Sequence, residues 1–144
     1  MMKPLKSVKL IIVHCVANRC NRPFSVENLI NCGKAQYGQC SYHYYVRYNG
    51  DIIPLLPETV QGVHARHYNH CSLGIVYEGG LDAQGKAADT RTEAQKRSLR
   101  QLLKGLTLDY PDARILGHCE LPGVAKKCPC YLPSEEYADL QPQE

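Results

Sequence analysis

The run Val8-Lys9-Leu10-Ile11-Ile12-Val13-His14 constrains the fold of this chain more than any other stretch. It is compact, rich in β-branched residues and nearly continuous in its apolar character, the pattern of a buried strand. It falls well short of the roughly 18 apolar residues that a membrane span needs. Lysines precede it, but it ends on a histidine and no small-residue cleavage site follows, so it does not read as a secretory signal. A strand of this kind has to be covered by other elements, and the rest of the chain must supply them.

The elements can be read in order. "SVENLINCGK" predicts a helix with Ser25 as N-cap, Val26, Leu29 and Ile30 on one face and Gly33 as the stop. "SYHYYVRYNGDIIPL" predicts a hairpin turning at Asn49-Gly50. Strand alternation then puts Tyr42, Tyr44, Val46 and Tyr48 on one face and His43, Tyr45 and Arg47 on the other. Residues 54–71 read as a long loop, and "SLGIVYEGG" as the next strand, closed by two glycines. "LDAQGKAAD" is polar turn material. Thr92 and Gln95 form a capping box before a helix with Leu99, Leu102, Leu103 and Leu106 on one stripe. "ARILGH" is a short strand delivering His118, and "SEEYADL" offers one further helical turn. Strands and helices mix without strict alternation, which predicts an α/β fold: one domain over residues 1–144, with a mixed central sheet flanked by helices.

Charge and cysteine content narrow the function classes. The net charge of +3 is mild and the basic residues are scattered, so no nucleic-acid stripe is present. Eight cysteines would suit a disulfide framework. Without a legible export signal, however, the chain is expected to be made and kept in a reducing compartment, where structural disulfides are rare. No Cys-x-x-Cys pair occurs, so neither a zinc ribbon nor a thioredoxin-type site is supported. Most of the thiols read as small buried apolar groups.

His14 and His118 each close a predicted strand, where α/β sheets commonly carry functional groups. Ten residues after His118 comes Cys128 in "KKCPC". Two imidazoles and a thiolate suit Zn²⁺ and leave a fourth position open, the pattern of a catalytic site. The residues alone leave open whether each histidine is a ligand or a satisfied buried side chain. His64, His67 and His70 in "HARHYNH" do not define a second metal site, because three-residue intervals in a loop fix no geometry. Cys15 and Cys119 are poorly placed as nucleophiles, since strand neighbours of a metal histidine point to the opposite face.

Four segments together carry a family resemblance over about residues 8–132: "IIVHC", "SYHYYVRYNGDI", "VHARHYNHCSLGIVYEGG" and "ILGHCELPGVAKKCP". In this order and at these separations they resemble the zinc-dependent N-acetylmuramoyl-L-alanine amidases of type 2. That family includes phage amidase lysozymes and animal peptidoglycan recognition proteins. The resemblance implies Zn²⁺ as cofactor, with His14, His118 and Cys128 as its ligands. It also implies that Tyr42 and Lys126 belong to the catalytic set, and that His64 and Asn69 lie on a groove-side loop as substrate contacts. Ser72 and Gly74 resemble a structural turn into the strand.

Three departures stand out. His67 replaces a glycine frequent before "YN", Cys32-Gly33 replaces an aromatic–His pair of the first helix, and Cys130 follows the motif proline as a rival to Cys128. The implied reaction is hydrolysis of the amide between the lactyl group of N-acetylmuramic acid and L-alanine. Lys126 would serve the oxyanion and Tyr42 the water; the residues alone equally allow a solvated lysine and a wall tyrosine. The rival readings are a non-catalytic peptidoglycan-binding module, although all three candidate ligands are kept, and a phage regulator binding a polymerase. The expected partner is peptidoglycan or a muramoyl-peptide, with no nucleic acid, no membrane and a monomeric state. With no signal peptide read, the wall would be reached by lysis-linked or dedicated release, or the enzyme would act on recycled fragments. A phage or prophage origin is favoured.

Overall fold

The apolar run near the N-terminus forms strand β1 (Leu10–Cys15) in the computed structural model of the protein, which describes residues 2–143. The chain continues through β2 (Asn18–Arg19), helix α1 (Val26–Tyr37), β3 (Tyr44–Val46), β4 (Ile52–Pro54), β5 (Ser72–Tyr77) and β6 (Gly80–Leu81). Helix α2 (Glu93–Asp109), β7 (Arg114–Gly117) and the short α3 (Pro133–Glu136) complete it. The main sheet has the order β4-β3-β5-β1-β7. β3, β5, β1 and β7 run parallel and β4 is an antiparallel edge, so the sheet is mixed as expected. β1 has a parallel neighbour on each side and is buried from Ile11 to Cys15, which is why its sequence does not alternate.

The two faces of β1 sort its residues by parity. Ile11, Val13 and Cys15 join Leu73, Ile75, Tyr77 and Ile115 under the α2 stripe of Leu99, Leu103 and Leu106. Ile12 points the other way, into a second cluster with Ala65 and Leu121. His14 shares that parity and so emerges on the face away from α2. The α2 capping box is fully formed: Thr92 Oγ1 accepts from Gln95 N, and Gln95 Oε1 accepts from Thr92 N. Gln95 is fully buried, and its amide nitrogen donates to the Val46 and Glu78 carbonyls, tying the helix to β3 and the end of β5.

Four local expectations are corrected. Gly33 does not stop α1; the helix runs to Tyr37 and ends on Gly38 at φ 77°, whose N–H donates to Lys34 O. Gly33 is instead a packing glycine, because a Cβ there would lie 2.7 Å from Gln39 O. The hairpin is shorter than expected, with β3 starting only at Tyr44. Tyr42 therefore escapes the strand alternation and packs with Tyr45 and Leu29, whereas Tyr44 and Val46 face the α2 side. The segment read as turn material contributes β6, which pairs in parallel with β2 in a second sheet of two-residue strands.

Candidate metal centre

The register of β1 against β7 builds the site. Val13 is opposite Gly117, so the next residues along, His14 and His118, meet at the carboxyl ends of the strands with ring centroids 4.7 Å apart. Gly117 lets the third member approach: a Cβ there would stand 2.8 Å from the rings of both Pro129 and Pro133. The loop after β7 is fastened by Cys119 N donating to Cys128 O at 2.7 Å and by the Tyr77 hydroxyl donating to Pro129 O at 2.5 Å. Glu120 Oε1 accepts from the N–H groups of Gly117 and Ser134. Cys128 is thereby brought to the end of β1, where its Sγ accepts from Cys15 N at 3.1 Å.

The ligand atoms of His14, His118 and Cys128 all lie within 4.8 Å of one another, the one such cluster among the described residues. Burial foremost, then the neighbouring His64 and His118, pushes His14 well below the ordinary imidazole pKa. His118 is lowered by burial and by the Lys126 charge. Both rings are neutral at neutral pH and keep a lone pair for a metal. Hydrogen bonding from Cys15 lowers the Cys128 thiol despite its burial, which favours the thiolate. Two neutral imidazoles and a thiol biased toward its thiolate fit Zn²⁺ in number, type and proximity.

The other candidates fall around this trio. Tyr42 sits with its ring centroid 5.2 Å from that of His14, and burial raises its phenol above the usual value, so it stays protonated. Lys126 is exposed and lines the same hollow of about 480 Å³ as His14, Tyr42, His64, His118 and Cys128. Cys32, Gly33 and Tyr37 of α1 form part of the wall, in the place of the missing aromatic–His pair. His64 is buried, lines the hollow and contacts His14 Nε2 through its Nδ1 at 2.9 Å. Asn69 shapes the loop, its Oδ1 accepting from the N–H groups of His64 and Ala65. His67 and His70 are exposed. The His67 backbone has φ 74°, so the histidine keeps the bend that a glycine would make without strain. Cys130 turns away, its Sγ donating to Gly80 O at 3.4 Å. All eight cysteines are free thiols.

Residues 4–131, which include every one of these side chains, match the family described as N-acetylmuramoyl-L-alanine amidase. The chain belongs to the N-acetylmuramoyl-L-alanine amidase family. It is 33% identical to the endolysin of Escherichia phage T7 over 130 residues, 90% of this chain and 85% of that one. The endolysin of Enterobacteria phage T3 is 32% identical over the same span. Among solved structures, the endolysin amidase LysCS from Clostridium intestinale superposes with a TM-score of 0.77 at 26% identity, over 95% of this chain and 86% of that one. PGRP-SA from Apis mellifera shares the fold, with a TM-score of 0.74 at 18% identity over 94% and 86%. The endolysin amidase and PGRP-SA thus share the fold of this chain. Ser72 is the partner that sequence reasoning missed: it reads as a turn into β5, yet its hydroxyl contacts His64 Nε2 at 3.2 Å. Nothing in its local pattern signals that contact, which depends on where the 62–71 loop folds.

Proposed function

We propose that this chain hydrolyses the amide between N-acetylmuramic acid and L-alanine in peptidoglycan, with one zinc held by His14, His118 and Cys128. The observation that carries the reading is the convergence of these three donors in the lining of a hollow that Tyr42 and Lys126 also line. When bound there, zinc would polarise the amide carbonyl and lower the pKa of water toward about 7. The remaining work falls to side chains. Tyr42, held protonated by burial, donates a hydrogen bond that positions the attacking water or relays its proton. The Lys126 ammonium stands at the mouth, where it stabilises the oxyanion of the tetrahedral intermediate; a donor of this kind is worth roughly 3 kcal/mol. The wall formed by α1 and the loop carrying His64 and Asn69 orients the muramoyl-peptide.

Keeping all three donors favours the enzyme over a binding module. No helix among the described residues is long and apolar enough to cross a membrane. The likeness to phage endolysins supports action on a cell wall after release. The test is digestion of purified peptidoglycan, followed by mass spectrometry and amino-terminal analysis. Free L-alanine amino termini are expected, without new reducing sugar. Binding to wall without peptide release by the zinc-loaded protein would replace the enzyme with the recognition module. Zinc analysis of Cys128→Ala and Cys130→Ala fixes the ligand: loss is expected only in the first.

A further inference from the structure

His64, Ser72 and the Tyr68 carbonyl form a chain of contacts that ends on His14, and its proton order can be worked out from the outer end inward. The Ser72 hydroxyl has one hydrogen and lies 2.6 Å from Tyr68 O, which can only accept. That hydrogen is therefore committed to the carbonyl. The Ser72 Oγ contact with His64 Nε2, at 3.2 Å, must then be an N–H donated by the imidazole. A neutral imidazole protonated on Nε2 carries a bare lone pair on Nδ1. His64 is buried, and its two ring nitrogens contact only His14 and Ser72, with no carboxylate to offset a charge, so the ring is neutral. His64 Nδ1 is 2.9 Å from His14 Nε2, so His14 donates there and carries its proton on Nε2. The nitrogen of His14 left with a lone pair is Nδ1.

We infer that the Tyr68–Ser72–His64 chain is a positioning relay that fixes His14 as its Nε2–H tautomer, leaving Nδ1 as the metal-binding atom. The inference rests on the proposed zinc centre and deepens it. The fold invests in this ring. Gly74 on β5 lacks a Cβ where one would stand 2.7 Å from His64 Cγ, and Asn69 Oδ1 pins the backbone N–H groups of His64 and Ala65. His43 lies behind with its own partners, accepting from Gly74 N at 3.0 Å and donating to Val60 O at 2.8 Å, so it does not compete. A partner that receives the second N–H of a metal histidine fixes its orientation and raises its basicity, and removing it commonly lowers metal affinity 10- to 100-fold.

Two measurements test the relay. Isotope-edited nitrogen NMR of the histidine rings, on the metal-free and zinc-loaded full chain, reads the tautomer directly and needs no variant. The expected result is a proton on His14 Nε2 in both forms, with Nδ1 shifted by zinc. A proton on His14 Nδ1 overturns the relay. Zinc affinity by competition with a chromophoric chelator supplies the second readout. His64→Leu is expected to weaken zinc binding 10- to 100-fold. His64→Asn, whose side-chain oxygen can take the place of Nδ1 as acceptor, should stay within a few-fold of wild type. Equal affinity in wild type and a folded His64→Leu would overturn the relay; if His64→Leu does not fold, the NMR result decides. Wild-type protein that binds no zinc would sink the metal centre itself, a separate outcome from a misplaced proton on a site that does bind it.

Discussion

A methyl group added at Gly74 is the smallest change that should disturb the centre without touching a ligand. The φ of Gly74 is not in the left-handed region, so alanine fits the backbone and the effect is purely steric. The new Cβ would lie 2.7, 2.8 and 2.9 Å from Cγ, Cδ2 and Nδ1 of His64. Reaching the 3.4 Å of an ordinary contact requires the ring to retreat by about 0.7 Å. That ring is held at one edge by His14 and at the other by Ser72, so any retreat stretches a hydrogen bond. Overpacking a tight site costs about 1–3 kcal/mol, and a weakened hydrogen bond about another 1. Alanine's stiffer unfolded chain returns up to about 1 kcal/mol. Gly74→Ala should therefore destabilise by about 1–3 kcal/mol. For a chain of this length that lowers Tm by roughly 3–10 °C. Thermal unfolding, paired with zinc titration by chelator competition, checks both halves, and zinc should bind at least several-fold more weakly. A Tm equal to or above wild type with unchanged zinc affinity would show that the ring has room to move and that its slot is not tight.

Other outcomes follow from single features. The Glu78 side chain, 1% exposed, accepts hydrogen bonds from Arg47 and from the N–H groups of Phe24 and Tyr48. Burial alone would raise its pKa, but these partners hold it below the ordinary carboxylate value. Its contribution is present above the unfolded carboxylate pKa and is lost as pH falls through the lower folded value. Glu78→Gln should thus cost about 2–4 kcal/mol at neutral pH and flatten the acid limb of Tm against pH, and parallel acid limbs would contradict this. His67→Gly relieves a left-handed residue and should gain about 0.5–1 kcal/mol in denaturant unfolding despite glycine's entropy, whereas a loss would mean the imidazole makes a valuable contact. Lys126→Ala should keep its zinc and its Tm while kcat falls about 100-fold; full activity would leave the lysine a solvated neighbour of the site. Tyr42→Phe should also keep zinc, with a loss in kcat no larger than that of Lys126→Ala.

What was legible in the sequence follows from range. β1, β5 and α2 are written in local patterns: a β-branched run, a second run closed by glycines, and a capping box before a leucine stripe. These survive because nothing distant overrides them. Gly33 reads locally as a helix stop, but its role is tertiary: the 39–41 backbone crosses it, and the missing side chain admits that crossing rather than ending the helix. Strand parity mispredicts the face of Tyr42 because β3 starts only at Tyr44, before which alternation does not apply. β2 and β6 hold two residues each, too few to show a period. The residue types of the His14–His118–Cys128 cluster are legible in the sequence, but the meeting of His14 and His118 depends on β1 pairing with β7 across a hundred residues. Only the joint likeness of four segments pointed to it. The hydrogen bonds of His64 and Ser72 had no sequence signal at all.

The central claim is that the His14–His118–Cys128 trio is a zinc reaction centre for a muramoyl–alanine amide. The most direct measurement titrates zinc into chelator-stripped full-length protein and follows release of L-alanine amino termini from purified peptidoglycan. Activity should be negligible at the start, rise in proportion to zinc and level off at about one equivalent, as expected for one such site. Full activity in the stripped protein, or release that ignores added zinc, would contradict the claim.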